Sequence, residues 1–285
     1  SYSYANDEIE RSVQTLLNIH LEKDFLSVKA RLICSFLPIN QPLYGLVLFG
    51  LIPSLVAENI YIRPSIDTLD VVLEVSALLN IPEIWSNVEL LEITRTRFLS
   101  DYVSRANVNI FVGKYQNAKV AQSYANPSSL FLFSGSGINP FVVAYTHDLD
   151  VVVDKAIKAR LYNSGQDCAA PNVFIVNEAQ KDAFIDLLIR RLKSIKVGEY
   201  SDKEVAVGPL IREASFKDSV LSIAHNRQKI LFNGHVDIKN KIIFPTVLVA
   251  NIWDRITFQE QYAPIFTIST YSDEIELKQY FYDIR

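Results

Sequence analysis

The sequence predicts an α/β protein with a mainly parallel sheet covered on both faces. Three observations carry that prediction. Short apolar runs alternate with helix-patterned segments along the whole chain. The order strand, glycine, helix, by which such folds place a phosphate at a helix N-terminus, occurs at Val108–Tyr124. At 285 residues and 49% apolar, the chain has ample core for one large domain or two medium ones.

In order, residues 7–34 have helical periodicity, with Ile9, Val13, Leu16, Leu17 and Leu21 at threes and fours. Leu43–Ala57 reads as a buried helix and Asn59–Arg63 as a strand stopped by Pro64. Thr68–Leu79 is a helix, Val108–Val112 a strand ending at Gly113, and Tyr115–Tyr124 a helix. The second half repeats the alternation: strand Pro140–Tyr145, helix Asp148–Tyr162, strand Asn172–Val176 and helix Ala179–Leu192. Further strands fit Lys229–Phe232, Ile242–Val249 and Ile265–Thr270. The run Ser134-Gly-Ser-Gly137 interrupts two apolar strands and predicts a domain boundary, dividing the chain into residues 1–134 and 135–285. No internal repeat or low-complexity tract is present.

Composition excludes several classes. A 49% apolar, 21% charged chain buries too much hydrophobic surface to be disordered. The net charge of −4, from 28 basic and 32 acidic residues without a basic stripe, argues against nucleic acid as partner. Leu32–Ala57 carries no charge and is long enough for a bilayer, yet it holds Pro38, Asn40, Gln41, Pro42 and Pro53. It reads as a loop and a buried helix, so no membrane span is expected. No secretory leader is expected either, because Asp7, Glu8 and Glu10 stand where an apolar core would be. Two distant cysteines, Cys34 and Cys168, do not form a disulfide framework and point to a reducing, cytoplasmic compartment. Met is absent, and Gly, at 9 of 285 residues, falls well below its usual ~7%.

The chemistry concentrates in Asn163-Ser-Gly-Gln-Asp-Cys168, between a helix and a strand. Backbone N–H groups around a cysteine on such a turn lower the thiol pKa and favour the thiolate. A lone cysteine is more commonly buried and structural; Gly165, Gln166 and their polar neighbours favour a reactive one. His20, His147, His225 and His235 are scattered. They offer no Cys–His pairing, and no Cys or His cluster has metal spacing, so no metal is expected.

Gly165-Gln166-Asp167-Cys168 resembles the nucleophile motif of the aldehyde dehydrogenase superfamily, and the resemblance continues collinearly. Pro38-Ile-Asn-Gln-Pro42 resembles the family's Pro-Trp-Asn-Phe-Pro, Arg63-Pro64-Ser65 its Lys-Pro-Ser, and Phe111-Val-Gly-Lys114 its Phe-Thr-Gly-Ser. Gly137-Ile-Asn-Pro140, Asp148-Leu-Asp150, Val207-Gly-Pro-Leu-Ile211, Pro245-Thr-Val-Leu248 and Glu260-Gln-Tyr-Ala-Pro264 keep the later family order. The resemblance implies a Rossmann-like cofactor domain followed by an α/β catalytic domain. It implies NAD or NADP as cofactor, a small-molecule aldehyde as substrate, and a homo-oligomer. Cys168 is then the nucleophile, passing through a thiohemiacetal to a thioester. The Asn40 amide and the Cys168 backbone N–H hold the oxyanion, each donor worth roughly 2.7–4 kcal/mol. Arg63, Ser65, Gly113 and Lys114 fall to the cofactor, with Glu260 on the nicotinamide ribose and Tyr262 near the ring. Full-length members extend beyond both ends of this sequence.

Several positions depart from the family pattern. Its general-base glutamate aligns with Ser134, whose hydroxyl cannot take a proton from water near neutral pH; loss of a positioned base costs about 10²–10⁴ in rate. Ile66 replaces the acidic residue after Lys-Pro-Ser, and Lys114 a phosphate-side serine. Gln41 replaces an aromatic residue, while Ser136 and Ala263 replace glycines. These departures fit a shift of function, with the thioester passed to a thiol such as coenzyme A and a 2′-phosphate accepted by Arg63 and Lys114. They equally fit decay to an inactive scaffold or subunit.

Overall fold

A left-to-right strand order of β3-β2-β1-β4-β5, all parallel, organises the N-terminal half of the computed structural model. The strands are β1 (Ala30–Phe36), β2 (Ala57–Arg63), β3 (Val88–Leu90), β4 (Val108–Val112) and β5 (Leu130–Ser134). The structure describes residues 2–26, 29–135 and 137–284, and Ser136, one of the departures named above, lies outside them. The chain forms two compact units, Ala5–Ser136 and Gly137–Arg285 together with Ser1–Tyr4.

Parallel neighbours require crossovers, which the helical segments Pro42–Ser54, Leu69–Leu78, Arg95–Asp101 and Tyr115–Tyr124 supply. Successive β1 side chains point to opposite faces. Ile33 joins Leu46, Val47, Ile60, Ile62 and Val72 on one side. Cys34 joins Phe36, Phe98, Val103, Phe111 and Ala121 on the other. The strand order reverses between β1 and β4, paired from Ile33↔Val108 to Phe36↔Phe111. Open α/β sheets bind ligands at the carboxyl edge of that switch point.

The helix expected over residues 7–34 is shorter. It runs Tyr2–Asn18, continues as a 3₁₀ turn to Phe25, and gives way to β1. Pairing with both β2 and β4 makes Ala30–Phe36 the central strand. That pairing outweighs local periodicity. The uncharged stretch Leu32–Ala57 comprises most of β1 and the buried helical segment after it. Among the described residues no helix is long and apolar enough to cross a membrane.

The C-terminal unit contains β6 (Pro140–Val143), β7 (Val173–Asn177), β8 (Ile230–Phe232), β9 (Val236–Asp237), β10 (Ile242–Ile243), β11 (Thr246–Val249) and β12 (Ile265–Tyr271). Its main sheet has the order β6-β7-β12-β11-β8, parallel except for β8. The single strand expected over Ile242–Val249 is broken at Phe244-Pro245. β10 pairs with β9 in a separate antiparallel ribbon, and β11 enters the main sheet. Pro245 has no N–H to give a ladder, which places the break. Phe174, Val176, Phe266 and Ile268 meet Val153, Ala156, Phe184 and Leu188 of helices Leu149–Leu161 and Lys181–Leu192 in the largest core. Helices Glu213–His225 and Glu274–Asp283 complete the unit.

Candidate active site

Helix Leu149–Leu161 ends in a turn with three consecutive left-handed residues, Asn163 (φ 48°), Ser164 (φ 56°) and Gly165 (φ 79°). Only glycine adopts this region without steric cost, so the other two need support. Ser164 receives it through a directed chain of hydrogen bonds. The Gly208 N–H donates to Ser164 Oγ at 2.9 Å, Ser164 and Tyr200 share a bond of 2.8 Å, and Tyr200 donates to the Pro209 carbonyl at 3.2 Å. Gln166 donates to the Asn163 carbonyl at 3.1 Å and accepts the Ile211 N–H at 2.8 Å. The segment Val207–Ile211 is thus the brace of the turn that leads to Cys168. Gly165 lies against the backbone of Ala263, where a Cβ would come within 2.5 Å of the carbonyl carbon.

Arg160 sits behind this turn, fully buried. It donates to the carbonyls of Pro171 at 2.8 Å and Gln261 at 2.7 Å, and to that of Ala263. Burial pulls its pKa down, opposed by the carboxylates of Asp167 and Glu260. Asn172 accepts the Gln261 N–H at 2.7 Å, and Asn139 donates to the Cys168 carbonyl at 2.6 Å. The Cys168 turn and the Glu260–Pro264 segment are therefore joined as one piece.

Cys168 is exposed, whereas Asp167 is buried. Asp167 Oδ1 accepts the Ala169 N–H at 2.9 Å, closing a turn across Cys168. The sequence led us to expect a thiol acidified by backbone N–H groups. The structure reverses that expectation: partial loss of hydration and the charge of Asp167 push the thiol up, with Glu260 adding to them. Only the cysteine's own backbone N–H pulls the other way. Tyr262 donates to Glu260 at 2.7 Å. Burial and that bond raise the phenol's pKa further. Cys34 is fully buried and its thiol is pushed up to about 12, chiefly by burial.

The N-terminal unit carries the other predicted residues. Asn40, half-buried, follows β1 in the segment that leads to the helix beginning at Pro42. That helix start is capped by Glu8, whose carboxylate accepts the N–H groups of Leu43 at 2.9 Å and Tyr44 at 3.0 Å. Arg63 ends β2 and donates to the carbonyls of Ile93 at 3.1 Å and Pro64 at 3.4 Å. Its pKa is lowered by burial and then by the charge of Arg95. Ser65 follows Arg63 and accepts the Thr68 N–H at 3.1 Å through its carbonyl, next to Ile66, which is 80% exposed. Gly113 (φ 148°) ends β4, and its N–H donates to the Ser134 carbonyl at 3.0 Å. Lys114, exposed, precedes helix Tyr115–Tyr124, on which Arg95 holds Asn117 at 2.9 and 3.1 Å. Arg63, Ser65, Gly113 and Lys114 thus share the carboxyl edge of one parallel sheet. Cys168, Glu260 and Tyr262 form a second group. Sequence reasoning missed Arg95, Arg160 and the burial of Asp167.

The model of the aldehyde dehydrogenase family matches residues 103–281. The chain belongs to that family. Among aldehyde dehydrogenase relatives, a succinate-semialdehyde dehydrogenase [NADP(+)] of Mycolicibacterium paratuberculosis is 39% identical over 97 residues, covering 34% of this chain and 20% of that one. A lactaldehyde dehydrogenase of Methanocaldococcus jannaschii is 27% identical over 173 residues, covering 60% and 37%. The solved structure of a succinate-semialdehyde dehydrogenase from Burkholderia pseudomallei superposes with a TM-score of 0.82 at 23% identity, over 89% of this chain and 54% of that one. The aldehyde dehydrogenase fold, Rossmann-like sheet and α/β catalytic unit together, is therefore that of this chain, which matches only about half of that solved structure's length.

Proposed function

We propose that this chain is an NAD(P)-dependent oxidoreductase that oxidises an aldehyde through Cys168. The observation that carries the reading is an exposed sulfur on a turn braced from both sides, in a chain of the aldehyde dehydrogenase family. A dinucleotide fits the N-terminal unit: a switch point opens between β1 and β4, and Gly113 follows β4 there in a left-handed conformation. Arg63, Arg95 and Lys114 supply positive charge around the same sheet edge. Arg63, Ser65 and Lys114 would hold the phosphates and adenosine ribose, and exposed Ile66 leaves no acid to repel a 2′-phosphate. The dinucleotide, when bound, supplies the hydride acceptor. Cys168 Sγ attacks the aldehyde carbonyl carbon and carries the acyl group as a thioester. Asn40 and the Cys168 backbone N–H are proposed as donors to the oxyanion. Tyr262 holds Glu260 in place for the nicotinamide ribose.

Titration with each dinucleotide, followed by aldehyde-dependent reduction at 340 nm, tests the reading. Binding below millimolar concentration and loss of turnover in Cys168→Ala are expected; no binding at millimolar dinucleotide overturns it. Ser134, exposed at the end of β5, brings no carboxylate to the family's base position and favours a second reading, acyl transfer to coenzyme A. Product formation that depends on added coenzyme A is then expected, and equal rates without it exclude that reading.

A further inference from the structure

We propose that Arg160 is a positioning residue for hydride transfer: its guanidinium fixes the chain that carries Glu260 and Tyr262 against the chain that leaves Cys168. The assignment rests on Cys168 being the nucleophile and on Glu260 and Tyr262 meeting the nicotinamide end of the dinucleotide. Both segments lie in the C-terminal unit, and each takes one arm of the fork. Nη1 donates to the Pro171 carbonyl at 2.8 Å, just after Cys168 in the chain. Nη2 donates to the Gln261 carbonyl at 2.7 Å and to the Ala263 carbonyl, so it holds the main chain on either side of Tyr262. Arg160 is fully buried, and its Nε has no hydrogen-bond partner among the described residues. A side chain with no exposed surface acts through the carbonyls it holds. Asn172 adds a parallel link, accepting the Gln261 N–H at 2.7 Å.

The two segments do not depend on Arg160 equally. The turn at Cys168 has its own supports: the Asn139 amide donates to the Cys168 carbonyl at 2.6 Å, Asp167 Oδ1 takes the Ala169 N–H, and Gln166 takes the Ile211 N–H. Gln261–Ala263 lies outside any strand or helix. Tyr262 is joined to Glu260 at 2.7 Å, so a shift of this segment moves both. A guanidinium suits the task because its rigid plane fixes two nitrogens relative to each other, whereas lysine offers a single point charge. In the hydride step the C–H pair leaves the carbon on Cys168 as hydride for the bound dinucleotide, which is the oxidant, and an oxyanion lone pair completes the thioester carbonyl. A displacement of about 1 Å in such a step costs on the order of 10²-fold in rate. Attack by the exposed sulfur on an acyl donor does not call on Glu260 or Tyr262.

The test uses the full chain and compares two rates in each variant. Acylation of Cys168 by p-nitrophenyl acetate, read as the burst of nitrophenolate, needs no dinucleotide. Aldehyde-dependent reduction at 340 nm in a single turnover reads the hydride step. In Arg160→Met the ratio of the second rate to the first should fall on the order of 10²-fold. Arg160→Lys, which keeps a donor for one of the two segments, should recover part of it. A merely structural role lowers both rates with the folded fraction and leaves their ratio unmoved. Amide exchange in the parent is independent of whether either variant folds. There the N–H groups of Ala170 and Gln261, one from each segment, should open in one step with the same dependence on urea. A ratio equal to the parent's in both variants, or separate opening of the two segments, overturns the assignment. A parent that reduces no dinucleotide overturns the oxidoreductase reading and this assignment with it; a parent that reduces one while the ratio holds in both variants overturns the assignment alone.

Discussion

The hydroxyls of Ser164 and Tyr200 lie 2.8 Å apart, and this contact ties a left-handed turn to the segment Val207–Ile211. Tyr200 is half-buried and burial raises its pKa, so the phenol stays a donor across the neutral range. Tyr200→Phe should cost about 0.5–1.5 kcal/mol, the usual net worth of one hydrogen bond. Urea unfolding at pH 7 measures the loss, and an unchanged midpoint would show that the brace does not depend on the phenol.

Arg160 makes a larger demand. Arg160→Met removes the donors to Pro171, Gln261 and Ala263 and leaves Asp167 and Glu260 without their buried cation. Breaking a buried charged network typically costs about 3–5 kcal/mol. Denaturant unfolding of the Met variant beside Arg160→Lys separates charge from geometry: lysine keeps the cation but cannot reach all three carbonyls with one forked plane.

Gly165→Ala places a Cβ 2.5 Å from the Ala263 carbonyl carbon at φ 79°. The backbone strain alone is worth ~1–3 kcal/mol, and the clash is with main chain that cannot rotate away. We expect a thermal midpoint well below the parent's and slower alkylation of Cys168. A neutral alanine variant would mean that the turn relaxes freely.

Cys34 gives a pH test with a definite sign. The unfolded thiol releases its proton near the ordinary 9.0, whereas the native one holds it to about 12. Between those values the native state binds more protons than the unfolded state. The stabilisation from this thiol is therefore complete below pH 9 and is lost as pH rises toward 12, at up to about 1.4 kcal/mol per pH unit. Cys34→Ala should remove that slope from the alkaline stability curve. In the folded parent at pH 7, mass spectrometry after brief alkylation should find label on Cys168 and not on Cys34.

Much of this architecture is legible in the sequence where local pattern and tertiary demand agree. Strand Val108–Val112 and helix Tyr115–Tyr124 have the expected bounds, because their periodicity and the glycine between them point the same way. β1 was hidden between Lys29 and Arg31 on one side and helical spacing on the other; its two neighbours make it a strand. Cys168 was legible as a motif. The company it keeps was not: Arg160 meets carbonyls 101 and 103 residues away, and no spacing rule reaches across that distance. Asp167 stood in plain view, yet that its carboxylate is buried and takes the Ala169 N–H depends on turn geometry rather than on residue order.

The run Gly208 to Ser164 to Tyr200 to Pro209 begins at a main-chain donor and ends at a main-chain acceptor, with each hydroxyl proton spoken for. Such a thread can point only one way, so neither rotor can be exchanged alone without stranding its partner. Positions 164 and 200 should consequently diverge as a couple, and engineering this loop calls for replacing both together.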